Sequence, residues 1–231
     1  MRHLIAALSC AIALAGPAGA QQSGTVVELY TSQGCSSCPP ADRLLAQMAD
    51  RDDVIAIALH VDYWDYIGWT DDLARPEYTQ RQRAYAQRWN AKNVYTPQMV
   101  IAGAVGVVGS DPGAIMNAMA VHRNTASPIA LEVLRRGDGL HISVRAIGNV
   151  PAQALVQVVS LTHSVTRNIE RGENAGKTID YRNVVTGWQN AGTWTTAQPA
   201  RLSVPLDHAG PVVVIVQDGA SGPILGAVKL P

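Results

Sequence analysis

The chain has 231 residues, equal numbers of basic and acidic side chains, and no phenylalanine. A neutral chain without basic runs excludes nucleic acid and anionic membrane surfaces as expected partners. Nearly half of the residues are apolar, enough for a sizeable core. After the first twenty positions no apolar run reaches the roughly 18 residues that a membrane span needs.

Met1-Arg2-His3 is a short basic start, Leu4 to Ala15 an apolar run, and Ala18-Gly19-Ala20 a small-x-small pattern. Together they read as a signal peptide, residues 1–20, cleaved before Gln21. The run is too short to cross a bilayer as a helix. A lipoprotein signal ending at Cys10 fits less well, because the apolar run continues past that cysteine. The protein is therefore expected in the periplasm or outside the cell. Cys10 leaves with the leader, and Cys35 and Cys38 remain.

From Thr25 to Arg123 strand and helix patterns alternate. Thr25–Tyr30 is β-branched and aromatic, a strand by composition. Cys35 to about Asp50 reads as a helix, with Pro39 and Pro40 tolerated only in its first turn. Leu44, Leu45 and Met48 supply its buried face. Val54–Val61 is almost continuously apolar, as a strand covered on both faces requires. An aromatic loop, Asp62 to Trp69, follows, then a helix from Pro76 to about Asn90. Gln98–Ala102 and Val105–Val108 read as strands around Gly103, and Asp111-Pro112 opens a helix to about His122.

From Ser127 helical periodicity gives way to short β runs: Ile129–Leu134, Gly139–Ala146, Ala154–Thr162, Thr178–Val185, Arg201–Val204 and Val212–Gln217. Gly137-Asp138-Gly139 is a hairpin signal between the first two. The expectation is an α/β domain over residues 21–125 and a smaller all-β, sandwich-like domain over residues 126–231. The second is expected to fold independently and to add no reactive group.

Cys35-Ser36-Ser37-Cys38 carries the expected chemistry. As a structural bridge, so short a loop constrains the unfolded chain by only about 2 kcal/mol. As a redox pair the spacing works: one sulfur attacks a partner and the other resolves the mixed disulfide. A helix opening at Cys35 would favour its thiolate through the first-turn N–H groups and the helix dipole. Cys35 is thus the expected nucleophile and Cys38 the resolving thiol.

The Cys-x-x-Cys pair, the Thr96-Pro97 step and the element order of residues 25–123 resemble the thioredoxin superfamily. That resemblance implies a thioredoxin-like domain over residues 21–125, with Pro97 cis and Thr96-Pro97 shaping a substrate groove opposite the cysteines. More closely, Leu29 to Asp42, His60-Val61-Asp62-Tyr63-Trp64, Tyr95-Thr96-Pro97-Gln98 and Arg171-Gly172-Glu173-Asn174 resemble a secreted bacterial family, domain of unknown function 1223. That family brings no established reaction. Gly34 stands where thioredoxin has tryptophan, so partner choice and potential do not carry over.

Trp64 and Trp69 are candidates to line the groove, with core packing as the competing role in a chain without phenylalanine. His60 and Asp62, with the two cysteines, would make a thiolate–imidazole set for a soft metal such as Cu(I). A histidine hydrogen-bonded beside a loop is the preferred reading, and neither metal nor cofactor is assigned. Gly172 to Thr178 falls one residue short of a phosphate loop and enters a strand rather than a helix. The functional expectation is a thiol–disulfide oxidoreductase acting on protein or small-molecule thiols and disulfides, with an unidentified redox recycling partner. The alternatives are a non-catalytic binding module and a copper-handling protein.

Overall fold

The structure, a computed structural model, describes residues 21–123 and 125–231. The expected signal peptide lies outside them. Strands β1 (Gln22–Ser23) and β2 (Thr25–Thr31) precede helix α1 (Pro39–Ala49), strand β3 (Val54–His60) and helix α2 (Pro76–Arg88). Strands β4 (Gln98–Ile101) and β5 (Val105–Val108) lead to helix α3 (Pro112–Arg123). Then come β6 (Ile129–Arg136), β7 (Gly139–Ala146), β8 (Gln153–Asn168), β9 (Thr178–Thr195), β10 (Ala200–Pro205), β11 (Val212–Gln217) and β12 (Ile224–Leu230).

The expected architecture, an α/β thioredoxin-like domain followed by a separate small β domain, is contradicted. One mixed sheet runs through both halves in the order β1-β12-β11-β8-β9-β3-β2-β4-β5. Only β10-β7-β6 stands apart, as a three-stranded sheet. The join is the parallel pairing of β3 with β9 at Ala58 and Val184. Its cause lies in β3, where all seven residues are buried. So apolar a strand needs a hydrogen-bonded neighbour on each edge; β2 provides one and β9 the other.

The cores follow from this sheet. On one face, Tyr30, Ile57 and Leu59 from the first half pack with Val159, Leu161, Val213 and Ile215 from the second. On the opposite face Leu45 and Met48 of α1 and Ile115 and Met119 of α3 cover Val27, Leu29, Ala56 and Ala58. A third cluster fills the space between the small sheet and the far strands of the large one. Strand β11 shows the period-two logic, sending Val213 and Ile215 into the first cluster and Val212, Val214 and Val216 into the third. Among the described residues no helix is long and apolar enough to cross a membrane.

Candidate functional site

The cysteine pair lies where β2 gives way to α1. Helix α1 opens at Pro39, with Cys38 as its N-cap residue, rather than at Cys35. Cys35 occupies the preceding turn, where its N–H donates to Ser32 O at 3.1 Å and Cys38 N–H to Cys35 O at 3.1 Å. The two cysteines are joined by a disulfide. Both are buried, Cys35 at 1% and Cys38 at 0% exposure, whereas Ser36 and Ser37 face solvent. The exposed nucleophile expected at a helix end is therefore not what the fold presents. The Ser37 hydroxyl sits 3.6 Å from Cys35 Sγ, near enough to donate to a Cys35 thiolate.

The aromatic loop after β3 lies against this turn. A Cβ at Gly34 would stand 3.2 Å from Trp64 Cβ and 3.4 Å from Ile67 Cδ1, which explains a glycine there. Trp64 Nε1 donates to Thr96 Oγ1 at 2.7 Å, and the Thr96–Pro97 peptide is cis. Trp64 thereby ties the loop beside Gly34 to the cis-proline step. Trp69 Nε1 donates to Gln33 Oε1 at 2.8 Å. Trp69 thus anchors the turn through its indole N–H, and Trp64 anchors the loop beside it.

Beneath the turn lies a buried polar cluster of which only His60 stood out in the sequence. His60 Nδ1 is 2.7 Å from Asp71 Oδ2, with both side chains fully buried. Asp71 also accepts the Gln33 backbone N–H at 2.8 Å and Gln33 Nε2 at 2.8 Å. Burial pushes the Asp71 carboxyl up, but the His60 charge and hydrogen bond, with the backbone N–H groups of Gln33 and Leu73, outweigh it and hold it low. Asp42, one helical turn after Cys38, accepts from Thr31 Oγ1 at 2.8 Å. The Tyr181 ring meets His60 edge-on at 4.6 Å between centroids. Asp42 Oδ2, His60 Nε2 and the Tyr181 hydroxyl are buried without a hydrogen-bond partner among the described residues.

Burial pushes the Asp42 carboxyl up to about 7, against the opposing His60 charge and the Thr31 hydrogen bond. An unfolded aspartate titrates near 4, so folding tightens the hold on this proton. The resulting stability is fully present below about pH 4 and is lost as pH rises through about 7. The gap corresponds to on the order of 4 kcal/mol. Asp42→Asn keeps an acceptor for Thr31 and removes the titration. Urea denaturation between about pH 4 and pH 8 is expected to show wild-type stability falling with pH more steeply than that of the variant. Parallel profiles would place the titrating group elsewhere.

The second half of the chain reaches the site as well, through side chains that hold the cysteine turn. Asn174 Nδ2 donates to Gln33 O and to Cys35 O, both at 2.8 Å. Arg167 pairs with Asp72 at 2.8 Å, and Asp72 in turn accepts Gln33 Nε2 at 2.9 Å. The segment from Gly172 to Thr178 lies at the end of the β8–β9 hairpin connection and enters β9 at Thr178, a loop leading into a strand.

The donor set considered for a soft metal is otherwise engaged. His60 Nδ1 faces Asp71, and Asp62 Oδ1 accepts Thr79 Oγ1 at 2.5 Å. Among the described residues no group of three or more His, Cys, Asp and Glu is arranged to hold a metal ion.

Residues 26–217 match the family described as "Protein of unknown function (DUF1223)", and the chain belongs to that family. An Agrobacterium tumefaciens protein solved by X-ray crystallography in a structural-genomics programme is 33% identical. Its TM-score is 0.78, and the match covers 91% of this chain and 96% of that one. HBP35 of Porphyromonas gingivalis shares the fold at 14% identity and a TM-score of 0.60, over 91% of this chain and 76% of its own. No functionally curated protein matches the sequence.

Proposed function

We propose that this DUF1223 protein is a thiol–disulfide oxidoreductase whose exchanging group is the Cys35–Cys38 pair. The observation that carries the reading is a Cys-Ser-Ser-Cys disulfide at the start of the helix that carries Asp42, whose backbone N–H donates to Cys38 O at 3.1 Å and whose buried carboxyl is pushed up to about 7. A partner thiolate attacks Cys35 Sγ, the Cys35–Cys38 bond breaks, and Cys38 leaves as a thiolate. A second partner thiolate then attacks the partner sulfur of the mixed disulfide and releases the Cys35 thiolate. Two electrons pass from the partner dithiol to the pair, and the partner leaves as a disulfide.

Each neighbouring group has a part in this scheme. Asp42 follows Cys38 by one helical turn, and once the turn opens its carboxyl would supply the proton that the leaving thiolate takes up. Ser37 Oγ can donate to the Cys35 thiolate. Trp64, Thr96 and cis-Pro97 form the wall against which an extended substrate would lie. Because both sulfurs are buried, exchange requires local opening of the turn. The strand, cysteine turn and cis-proline step that carry the thioredoxin resemblance support the reading as local features. We place the activity after export, in the periplasm or outside the cell, where a disulfide can persist.

The burial of both sulfurs favours one competing reading, a binding module with an inert structural bridge. Single-cysteine variants separate the two. Cys38→Ser is expected to accumulate mixed disulfides with partner thiols through Cys35, and Cys35→Ser to accumulate far fewer, as read by non-reducing electrophoresis and mass spectrometry. Equal and negligible trapping by both would favour the inert bridge.

A further inference from the structure

The β8–β9 hairpin ends in a loop that folds back on itself. Gly176 N–H donates to Ile169 O at 2.7 Å, Ile169 N–H to Lys177 O at 2.9 Å, and Lys177 N–H to Asn174 O at 3.1 Å. Gly172 and Gly176 make this possible with φ of 75° and 78°, in the left-handed region that a side chain disfavours. A Cβ at Gly172 would lie 3.2 Å from Trp69 Cβ, so the tip rests closely on the loop beside the cysteine turn.

Asn174, fully buried, is the point of contact. Its amide nitrogen spends both hydrogens on the cysteine turn, one on Gln33 O and one on Cys35 O. Its amide oxygen accepts Lys177 Nζ at 2.7 Å. A cation on the oxygen draws electron density from the nitrogen and strengthens both donated bonds, so positive potential extends from the ammonium toward Cys35.

The charged surroundings single out this lysine. His60 on β3 and Asp71 in the following loop pair with each other, and Asp72 pairs with Arg167 of β8. Asp42 of α1 bonds Thr31. Glu170, Arg171 and Glu173 lie exposed on the tip. Lys177 makes no ion pair among the described residues, and its ammonium is directed to Asn174. A plain staple between hairpin and turn would need neither the second carbonyl nor the cation behind the amide.

We infer that Asn174 and Lys177 form a positioning relay that holds the Cys35 turn and stabilises the Cys35 thiolate in the reduced protein. The relay rests on the redox reading of the pair and adds to it a control point from the second half of the chain. Neither residue touches the exchanging sulfurs, and both act through the backbone of Cys35.

The test uses the chain from Gln21 onward, chemically reduced, with Cys35 alkylation followed across pH by peptide mapping. Lys177→Gln is expected to lower the Cys35 rate near neutrality by roughly threefold to fivefold at low ionic strength. Lys177→Arg should restore it, and about 0.5 M salt should shrink the difference, because the ammonium is exposed to screening. Asn174→Ala should lower the rate in the same direction and leave Lys177→Gln little further effect. A Cys35 titration unchanged in Lys177→Gln at low salt, or effects of the two substitutions that simply add, would overturn the relay. Equilibration of the wild-type pair with glutathione tests the redox reading separately. Alkylation of the reduced thiol gives its answer whether or not the pair exchanges.

Discussion

Glu28→Ala is expected to destabilise the protein by about 3–5 kcal/mol, enough to remove much of the stability of an ordinary domain. Glu28 is fully buried on β2, and its carboxylate meets Arg81 of α2 at 2.7 Å and 3.0 Å. Tyr85 donates to Glu28 Oε1 at 2.7 Å and Tyr30 to Oε2 at 3.1 Å. The guanidinium also bonds Gln217 of β11 and stacks 4.0 Å over the Trp188 ring of β9. Burial works against the Arg81 charge, but Glu28 and the two tyrosines outweigh it and hold the proton more firmly than usual. Removing the carboxylate leaves that cation and two phenols buried without their acceptor. Glu28→Gln keeps the shape and an acceptor and should cost less. Urea melts of the two variants measure the difference, and a Glu28→Ala loss below about 1 kcal/mol would mean that the pair is no more than a surface-type bridge.

The isolated segment 21–125 is expected not to fold. It contains β2, β3, β4 and β5 but lacks β9, the second neighbour of β3. One edge of β3 would meet water along seven residues that are buried in the whole chain. The face formed by Tyr30, Ile57 and Leu59 would lose Val159, Leu161, Val185, Val213 and Ile215. An apolar edge of that kind pairs with other chains rather than remaining solvated. Arg81 would also lose Gln217 and Trp188. Circular dichroism and sizing of the segment should show an unfolded or aggregated chain without a cooperative melt. A monomer melting cooperatively would show that the first half is complete without the sheet extension.

How much of this was legible in the sequence depends on the range over which each feature is determined. Val54–Val61 announced a strand covered on both faces, because continuous apolar residues leave few other choices. Its partner was not legible, since β9 follows far along the chain and reads as one half-buried strand among several. Nothing in Thr178–Val185 marks Val184 for pairing with Ala58 rather than with a neighbour in a separate sandwich. The runs at Ala154–Thr162 and Thr178–Val185 were also shorter than the strands they belong to, Gln153–Asn168 and Thr178–Thr195. Their outer portions are largely polar, apart from Trp188 and Trp194 of β9, and owe their conformation to the β8–β9 pairing itself.

At the site, Cys35, Cys38, Thr96 and Pro97 stood out because spacing and local order mark them. A helix opening at Cys35 is four residues early, since Pro39-Pro40 suits the opening of a helix as well as its first turn. Asn174 has the look of any turn residue; its signals are the pair of glycines bracketing it and its place in the Arg171-Gly172-Glu173-Asn174 segment of the family resemblance. Asp42 and Asp71 looked like ordinary polar positions of a helix and a loop. Their burial follows from the packing of β9 and of the loop after β3, and neither is written locally.

The redox assignment is tested most directly by equilibrating the full chain with glutathione buffers and counting free thiols after acid quenching. The account predicts that the Cys35–Cys38 pair passes reversibly from disulfide to dithiol, with the same midpoint from both directions, between about −120 and −270 mV. A pair that stays oxidised throughout that range, while the folded chain opens enough for an added reductant to reach it, would contradict the assignment and leave the disulfide a structural bridge.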